Sequence, residues 1–251
     1  MLQFIGPRDY SLYRNLTGIA VSFAAVFALL VVVELLIARK LVREATGRKI
    51  VHIGASHWWL LAMLFHDNPW FAAVGPAFFL IFNVVIWRRG SMATLRPHAD
   101  RSNLGTIYFP LSLLAIVFLT FGGVFPVYTG GIGILIMGWG DGLAALVGER
   151  VKSGRYAVAG RSNMLPNAGI DTTSDRATKS IAGSLTMFAA SFTVGAILVG
   201  TFCPQAGLAT VAARAGAVAG VATIVEAVTP FGLDNLTVPI LSVLFYNLVI
   251  L

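Results

Sequence analysis

Long apolar stretches alternate with short polar connections along most of the chain. A helix needs about 20 apolar residues to cross the hydrocarbon core of a bilayer. Windows of that length predict eight helices, some of them short or broken, at 18–38, 51–66, 69–87, 105–124, 126–148, 180–202, 206–226 and 236–251. The pattern therefore predicts an all-α fold: a polytopic integral membrane protein with about eight transmembrane helices.

Composition supports the same interpretation. Of the 251 residues, 57% are hydrophobic and 12% are charged, whereas a soluble domain carries about 25% charged residues. The N-terminus lacks the basic-then-apolar order of a cleavable signal peptide. The single cysteine, Cys203, excludes an intramolecular disulfide and any CxxC metal site.

Basic residues are concentrated in alternate connections between the predicted helices. Fifteen of the eighteen Lys and Arg residues lie in three connections, at 39–49, 88–101 and 150–179. The connections that alternate with them, at 66–69, 122–126 and 201–207, contain none. By the positive-inside rule the basic connections are cytoplasmic, so both termini lie outside. The net charge of +7 thus reflects membrane topology, and we expect no nucleic-acid partner.

Several ionisable residues fall at one depth, just beneath the cytoplasmic surface. Asp141 lies about 14 residues into the fifth span, or ~21 Å at 1.5 Å per residue. Glu226 ends the seventh span on the same side, and Asp234 and Asn235 lie in the break that follows. An aspartate within a span costs about 2.5–3.5 kcal/mol on insertion scales. Structural ion pairing is the alternative for any single residue, but the whole group indicates a functional site.

Two basic motifs reach the same depth and suit an anion. RKIVHIGASH (48–57) places Lys49, His52 and Ser56 on one helical face, and its basic residues are also ordinary interfacial anchors. TKSIAGS (178–184) places Lys179 and Ser180 at a helix N-terminus, where free N–H groups favour an anion.

The acids suit a metal ion. Mg²⁺ usually takes one or two carboxylates and completes its shell with water and substrate phosphates, so Asp141 and Asp234 are its natural ligands. Gly140 and Gly142 either let helices pack closely or leave room beside Asp141 for a metal and an anion. Basic groups, anion-binding helix ends and separate metal carboxylates together favour phosphoryl transfer. The chain has no H-E-x-x-H or G-x-S-x-G motif.

Five segments, in order, resemble the motifs of the CTP-dependent polyprenol kinases: RKIVHIG (48–54), GTIYFP (105–110), GDGLAALVG (140–148), KSIAGS (179–184) and GLDNLTVP (232–239). This group includes phytol kinase, dolichol kinase and a CTP-dependent diacylglycerol kinase. The resemblance covers about residues 48–245, and the phytol kinase branch is nearest. The KD, HGG and DRxD elements of the related phosphatidate cytidylyltransferases do not occur here, which favours kinase chemistry over nucleotidyl transfer.

The resemblance implies a membrane-embedded kinase that transfers the γ-phosphate of CTP to an isoprenoid or related lipid alcohol. It implies Mg²⁺ on Asp141 and Asp234, and His52 or Glu226 orienting or deprotonating the hydroxyl. The residues it places around the nucleotide are Arg48, Lys49, Gly140, Gly142, Lys179, Ser180 and Asn235. CTP as the donor rests on the resemblance alone.

We expect one transmembrane catalytic domain over 1–251, with an interfacial segment at 1–17 and a cytoplasmic loop at 149–178. The active site would face the cytoplasm, from the inner membrane if the source is bacterial. The loop is longer than expected for phytol kinases, so the lipid acceptor stays open, as does a homo-oligomer. Nucleotidyl transfer to a lipid phosphate and membrane transport are the alternative functions.

Overall fold

The computed structural model describes residues 12–89, 104–151, 153–157, 178–230 and 232–251. Ten α-helices occur within this part of the chain: α1 (Leu12–Ala38), α2 (Glu44–Ser56), α3 (Trp58–Phe65), α4 (Pro69–Arg89), α5 (Gly105–Phe121), α6 (Val127–Leu135), α7 (Gly142–Arg150), α8 (Ile181–Phe202), α9 (Leu208–Val228) and α10 (Asp234–Phe245). Two short strands, β1 (Arg155–Ala157) and β2 (Thr178–Ser180), pair antiparallel and form a ribbon.

The chain is an all-α polytopic membrane protein, as the hydropathy pattern predicts. Five helical segments in the described ranges are long and apolar enough to cross a membrane, and α5 and α10 are shorter apolar helices. Large apolar side chains point outward from the bundle, among them Leu35, Ile81, Leu185 and Ile224, each more than half exposed. Exposed apolar surface of this extent suits contact with lipid.

The observed structure differs from the prediction at the second span. The observed helical segment begins earlier than predicted and is broken. Helix α2 starts at Glu44, and α3 follows after a break at His57. The Ser56 Oγ donates to the Ile53 carbonyl oxygen at 2.7 Å, and the His57 Nδ1 lies 2.8 Å from the same oxygen. The His57 backbone N–H bonds instead to the Gly54 carbonyl. Side chains that compete for a helix carbonyl in this way interrupt the helical ladder.

The fifth predicted span is the central helix of the bundle. It runs continuously from Val127 to Arg150. In its apolar 18-residue stretch 72% is buried, compared with 17–28% in the corresponding stretches of the other four long spans. Between α6 and α7 it passes through a π-helical turn over Ile136–Asp141. A π-turn holds one more residue than an α-turn and is frequent at functional sites. Asp141 is the last residue of this turn.

Helix α1 begins and α10 ends at the same end of the bundle. The Arg14 guanidinium lies 2.7 Å from the Asp67 carboxylate, in the connection after α3. Tyr128 stacks on Phe202 and contacts Tyr246 near the end of α10. We call the opposite end the basic face; it carries the described residues of the connections that follow α1, α7 and α9 and the starts of α2, α8 and α10. That this face is cytoplasmic stays a prediction.

Two predicted segments lie partly outside the described residues. Of the interfacial segment at 1–17, residues 12–17 already belong to α1, and 1–11 lie outside. Of the loop at 149–178, the described residues are 149–151, 153–157 and 178, and they include the end of α7 and strand β1.

Candidate active site

Three carboxylates from separate parts of the chain meet at the basic face. Asp141 ends the π-turn, Glu226 lies near the end of α9, and Asp234 is the first residue of α10. All three are buried, and one oxygen of each lies within 4.8 Å of the others. Two like charges at that distance repel by about 3 kcal/mol at an effective dielectric of ~20. The acid cluster, as we call these three residues, therefore needs positive charge close by.

Two lysines supply that charge. The Lys49 Nζ donates to the Asp141 carboxylate at 2.7 Å. The Lys179 Nζ donates to the Glu226 carboxylate at 2.6 Å and lies 3.4 Å from an Asp234 oxygen. It also bonds to the Glu226 backbone carbonyl. Three carboxylates and two ammonium groups leave one negative charge, so the acid cluster keeps an attraction for a further cation.

Lys179 lies on β2, outside the membrane-spanning helices. Burial alone would lower the pKa of its ammonium group, but the charges of Asp234 and Glu226 outweigh burial and raise that pKa above its ordinary value of 10.5. Lys179 is therefore positively charged at neutral pH.

The ribbon and the start of α8 hold Lys179 in place. Strand β2 leads directly into α8, and the Ser180 Oγ accepts the Gly183 backbone N–H at 3.1 Å as the N-cap. In the ribbon, Arg155 pairs with Ser180 and Tyr156 pairs with Lys179. The Tyr156 hydroxyl lies 2.6 Å from the Ser184 Oγ and ties β1 to α8.

A polar cavity opens beside the acid cluster, with about 690 Å³ of space including its open side. Its wall includes all three acids together with Lys179, Arg155 and Ser180. It thus combines carboxylates, two basic groups and the N-terminus of α8. This combination suits a phosphate-bearing ligand with a metal ion.

Most of the residues predicted from the sequence come together around this cavity. Asp141, Asp234, Glu226, Lys49 and Lys179 form one charged network. Glu226, which was predicted with His52 as one of two groups that could act on the hydroxyl, lies among the carboxylates of the acid cluster.

Asn235 stabilises the charged network through hydrogen bonds to Asp234. Its side-chain amide donates to the Gly232 carbonyl at 3.0 Å and to the Asp234 Oδ1 at 3.1 Å. Its backbone N–H donates to the same Asp234 oxygen. Asn235 therefore holds the Asp234 carboxylate in position.

His52 and Arg48 are not among the residues that line the polar cavity. His52 follows Lys49 by one turn of α2, and its ring packs on Phe109 with centroids 4.3 Å apart. Its Nε2 is buried and has no hydrogen-bond partner among the described residues. Arg48 interacts with Glu44 and Glu149 at the basic face.

Gly140 and Gly142 serve helix packing. A Cβ on Gly140 would lie 2.4 Å from the Met187 sulfur on α8, and a Cβ on Gly142 would lie 2.5 Å from Ile53 on α2. Neither glycine lines the polar cavity as described. Their predicted contact with the nucleotide stays a prediction.

Sequence reasoning missed Arg155, which reaches the cavity because β1 pairs with β2. The available signal was the short segment RYA, in which a basic residue is followed by an aromatic and a small one. Three residues are too few for an alternating strand pattern to stand out.

Comparison with curated proteins finds a relative over nearly the whole chain. The chain is 35% identical over 229 residues to a phytol kinase from Synechocystis sp., which covers 90% of this chain and 89% of the relative. The chain belongs to the phytol kinase family. Membership of the phytol kinase family confirms the group predicted from the five motifs and makes this chain a kinase. No protein-family model matches the chain, and no solved structure does.

Proposed function

We propose that the protein transfers the γ-phosphate of CTP to the hydroxyl of an isoprenoid alcohol, with Mg²⁺ as the cofactor. The observation that carries the proposal is the acid cluster with its two lysines, buried where the transmembrane helices meet the basic face. A lipid alcohol cannot leave the membrane, so the phosphate-binding groups must lie at the level of its hydroxyl. Family membership supports the kinase reaction, and CTP comes from the motif resemblance.

The acid cluster fits Mg²⁺. It offers hard oxygen ligands from three elements within 4.8 Å of one another, and Mg²⁺ usually takes one or two protein carboxylates. Asp141 and Asp234 would hold the ion, with Glu226 beside them. When bound, Mg²⁺ would neutralise charge on the β- and γ-phosphate oxygens.

The lysines would change partners when the nucleotide binds. In the present structure Lys49 and Lys179 bond to the carboxylates. A cation on the acid cluster would release them, and their ammonium groups would then bind phosphate oxygens. Arg155 and Ser180 lie on the same cavity wall, where they would position the phosphates.

Transfer would proceed by in-line displacement. The alcohol oxygen attacks the γ-phosphorus, the bond from that phosphorus to its bridging oxygen breaks, and CDP leaves. Either His52 or Glu226 was predicted to act on the hydroxyl. His52 suits this better, because Glu226 is already bonded to Lys179 while the His52 Nε2 is buried without a partner in the described residues. That nitrogen would accept the hydroxyl proton.

The site would face the cytoplasm, where the basic connections are expected and where the nucleotide is supplied. In a bacterium the protein would lie in the inner membrane.

Product analysis tests the proposal. Purified protein in detergent is incubated with Mg²⁺, a panel of lipid alcohols and CTP or ATP labelled at the γ-phosphate. We expect labelled lipid phosphate and CDP with CTP. Release of pyrophosphate would show nucleotidyl transfer and contradict the proposal.

Asp141→Asn should abolish turnover, because one of the two proposed Mg²⁺ ligands is lost. The protein should still fold, because two lysines then face two carboxylates. Asp67→Asn is the matched control, since Asp67 lies at the opposite end of the bundle and its loss should leave turnover in place. An Asp141→Asn protein with the turnover of the parent would refute the assignment.

A further inference from the structure

A second cavity lies next to α2, with about 890 Å³ of space including its open side. Residues of five helices surround it: α1, α2, α3, α4 and α5. Its wall is almost entirely apolar and aromatic, with Phe23, Phe79, Phe82 and Phe109 among its members. It is therefore chemically distinct from the polar cavity beside the acid cluster.

This apolar cavity extends from the basic face toward the middle of the bundle. Arg48 and Thr106 line it near the starts of α2 and α5, whereas Trp58 and Gly75 line it deeper in the bundle. Ten residues separate Arg48 from Trp58, which corresponds to about 15 Å along a helix. The cavity thus has the direction of a lipid tail that enters the bilayer from this face.

Buried polar atoms without partners in the described residues occur at this wall. They are the Ser22 Oγ, the His52 Nε2 and the Trp58 Nε1. Such atoms are rare in folded proteins, and each calls for an explanation. His52 lies at the end near the acid cluster, since Lys49 one turn earlier bonds to Asp141. A ligand hydroxyl at that end would give the His52 Nε2 its missing hydrogen bond.

We propose that this cavity binds the tail of a single-chain isoprenoid alcohol, with the hydroxyl at His52, and that Gly75 determines how deep the tail reaches. The inference rests on the proposed function, because it locates the tail of the acceptor for that reaction and the residue that limits its length. One cavity bordered by aromatic rings accommodates one chain, so a diacylglycerol with two tails is not the acceptor.

Gly75 is the residue whose size controls the deep end. A Cβ built there would lie 3.7–3.9 Å from the Trp58 indole, which is ordinary van der Waals contact. The backbone therefore tolerates a side chain at this position, and a larger one must occupy cavity space beside Trp58. We expect the fold to survive the change while the space for the tail is shortened.

The first test compares Gly75→Leu with the parent protein on two prenols, phytol and the much shorter geraniol. We expect the phytol-to-geraniol ratio of kcat/KM to fall at least about tenfold, which corresponds to the loss of two buried methylene groups. The KM for CTP should stay unchanged. Gly220→Leu on α9 is the matched control, since open space surrounds Gly220, and it should keep the parent ratio. An equal effect of Gly75→Leu on both alcohols, or no effect, would overturn the inference.

A second test does not depend on turnover. A phytol analogue with a diazirine at its tail end is photolysed with the protein in the absence of nucleotide, and labelled peptides are identified by mass spectrometry. We expect labels on the segments of α3 and α4 around Trp58 and Gly75, competition by phytol, and no competition by dioleoylglycerol. A parent protein that phosphorylates no alcohol but is labelled there would refute the proposed function and support the cavity. Labels elsewhere, or equal competition by dioleoylglycerol, would refute the cavity assignment even if phytol is phosphorylated.

Discussion

Replacing Lys49 with methionine tests whether the lysines balance the acid cluster. The substitution keeps much of the side-chain length and removes the charge that lies 2.7 Å from Asp141. Three carboxylates within 4.8 Å of one another then share a single ammonium group, that of Lys179. We expect Lys49→Met to be strongly destabilised when no divalent cation is present.

The size of the effect follows from the geometry. Removing one partner of a buried ion pair costs about 3–5 kcal/mol. The side chain of Lys49 is 30% exposed while that of Asp141 is 11% exposed, so water screens part of the interaction and the lower figure applies. For a chain of this size, a loss of about 3 kcal/mol lowers the unfolding temperature by roughly 6–12 °C.

The measurement is the apparent unfolding temperature in detergent, followed by tryptophan fluorescence with EDTA or with excess Mg²⁺. Mg²⁺ should raise the unfolding temperature of Lys49→Met more than that of the parent, because in the parent the ion must first displace Lys49. A ligand at a hundred times its Kd stabilises by about 2.7 kcal/mol, enough to offset most of the loss. The double variant Lys49→Met, Asp141→Asn should also recover most of the stability, since the acid cluster and its lysines return to the parent's net charge of minus one.

Lys40→Met is the control, since Lys40 is exposed in the turn after α1. Exposed substitutions change stability by no more than about 0.5 kcal/mol. If both variants unfold at the same temperature in EDTA, or if Mg²⁺ shifts them equally, the acid cluster does not depend on Lys49 and our reasoning is wrong.

Two further predictions concern the start of α8. The pKa of Lys179 is raised by Asp234 and Glu226 in spite of burial, so the stability that Lys179 contributes is complete below its ordinary pKa of 10.5 and is lost as pH rises through the higher folded value. Unfolding temperatures measured across alkaline pH should show this loss, and Lys179→Arg should move it to higher pH; an unchanged profile would contradict the assignment. Ser180→Ala should cost about 1 kcal/mol through loss of the N-cap and Ser180→Gly only a few tenths, as measured by the same unfolding assay, and equal losses would show that the cap is unimportant.

The helices and the depth of the acids could be predicted from sequence because both depend on local information. The bilayer fixes how many apolar residues a span needs, and counting residues from the end of a span gives the depth of Asp141. The same counting places Glu226 and Asp234 at one level, and the structure brings all three within 4.8 Å.

The pairing of particular charges could not be predicted in this way. Lys49 and Asp141 are 92 residues apart, and their contact depends on which helices are lateral neighbours, which hydropathy does not encode. The roles of Gly140 and Gly142 were also ambiguous, because a glycine that lets a helix approach and one that admits a ligand look alike in sequence. Only the positions of Met187 and Ile53 distinguish them.

The break at His57 and the π-turn that ends at Asp141 could not be predicted from the periodicity of apolar residues either. Each results from a single change of hydrogen-bond partner within an otherwise apolar helix. The break follows from the Ser56 and His57 side chains competing for one carbonyl, a contact that depends on side-chain rotamers.

Because β1 and β2 are paired, the length of the connection between them need not affect the positions of the residues at the candidate site. The chain leaves the ribbon after Ala157 and returns at Thr178, so Arg155 and Lys179 are fixed relative to each other whatever sequence joins the strands. Closing a longer connection costs little, about 0.6 kcal/mol for each doubling of its length. A connection of a different length could therefore join the strands, and could carry regulatory or docking sequences, without disturbing the groups proposed to bind phosphate.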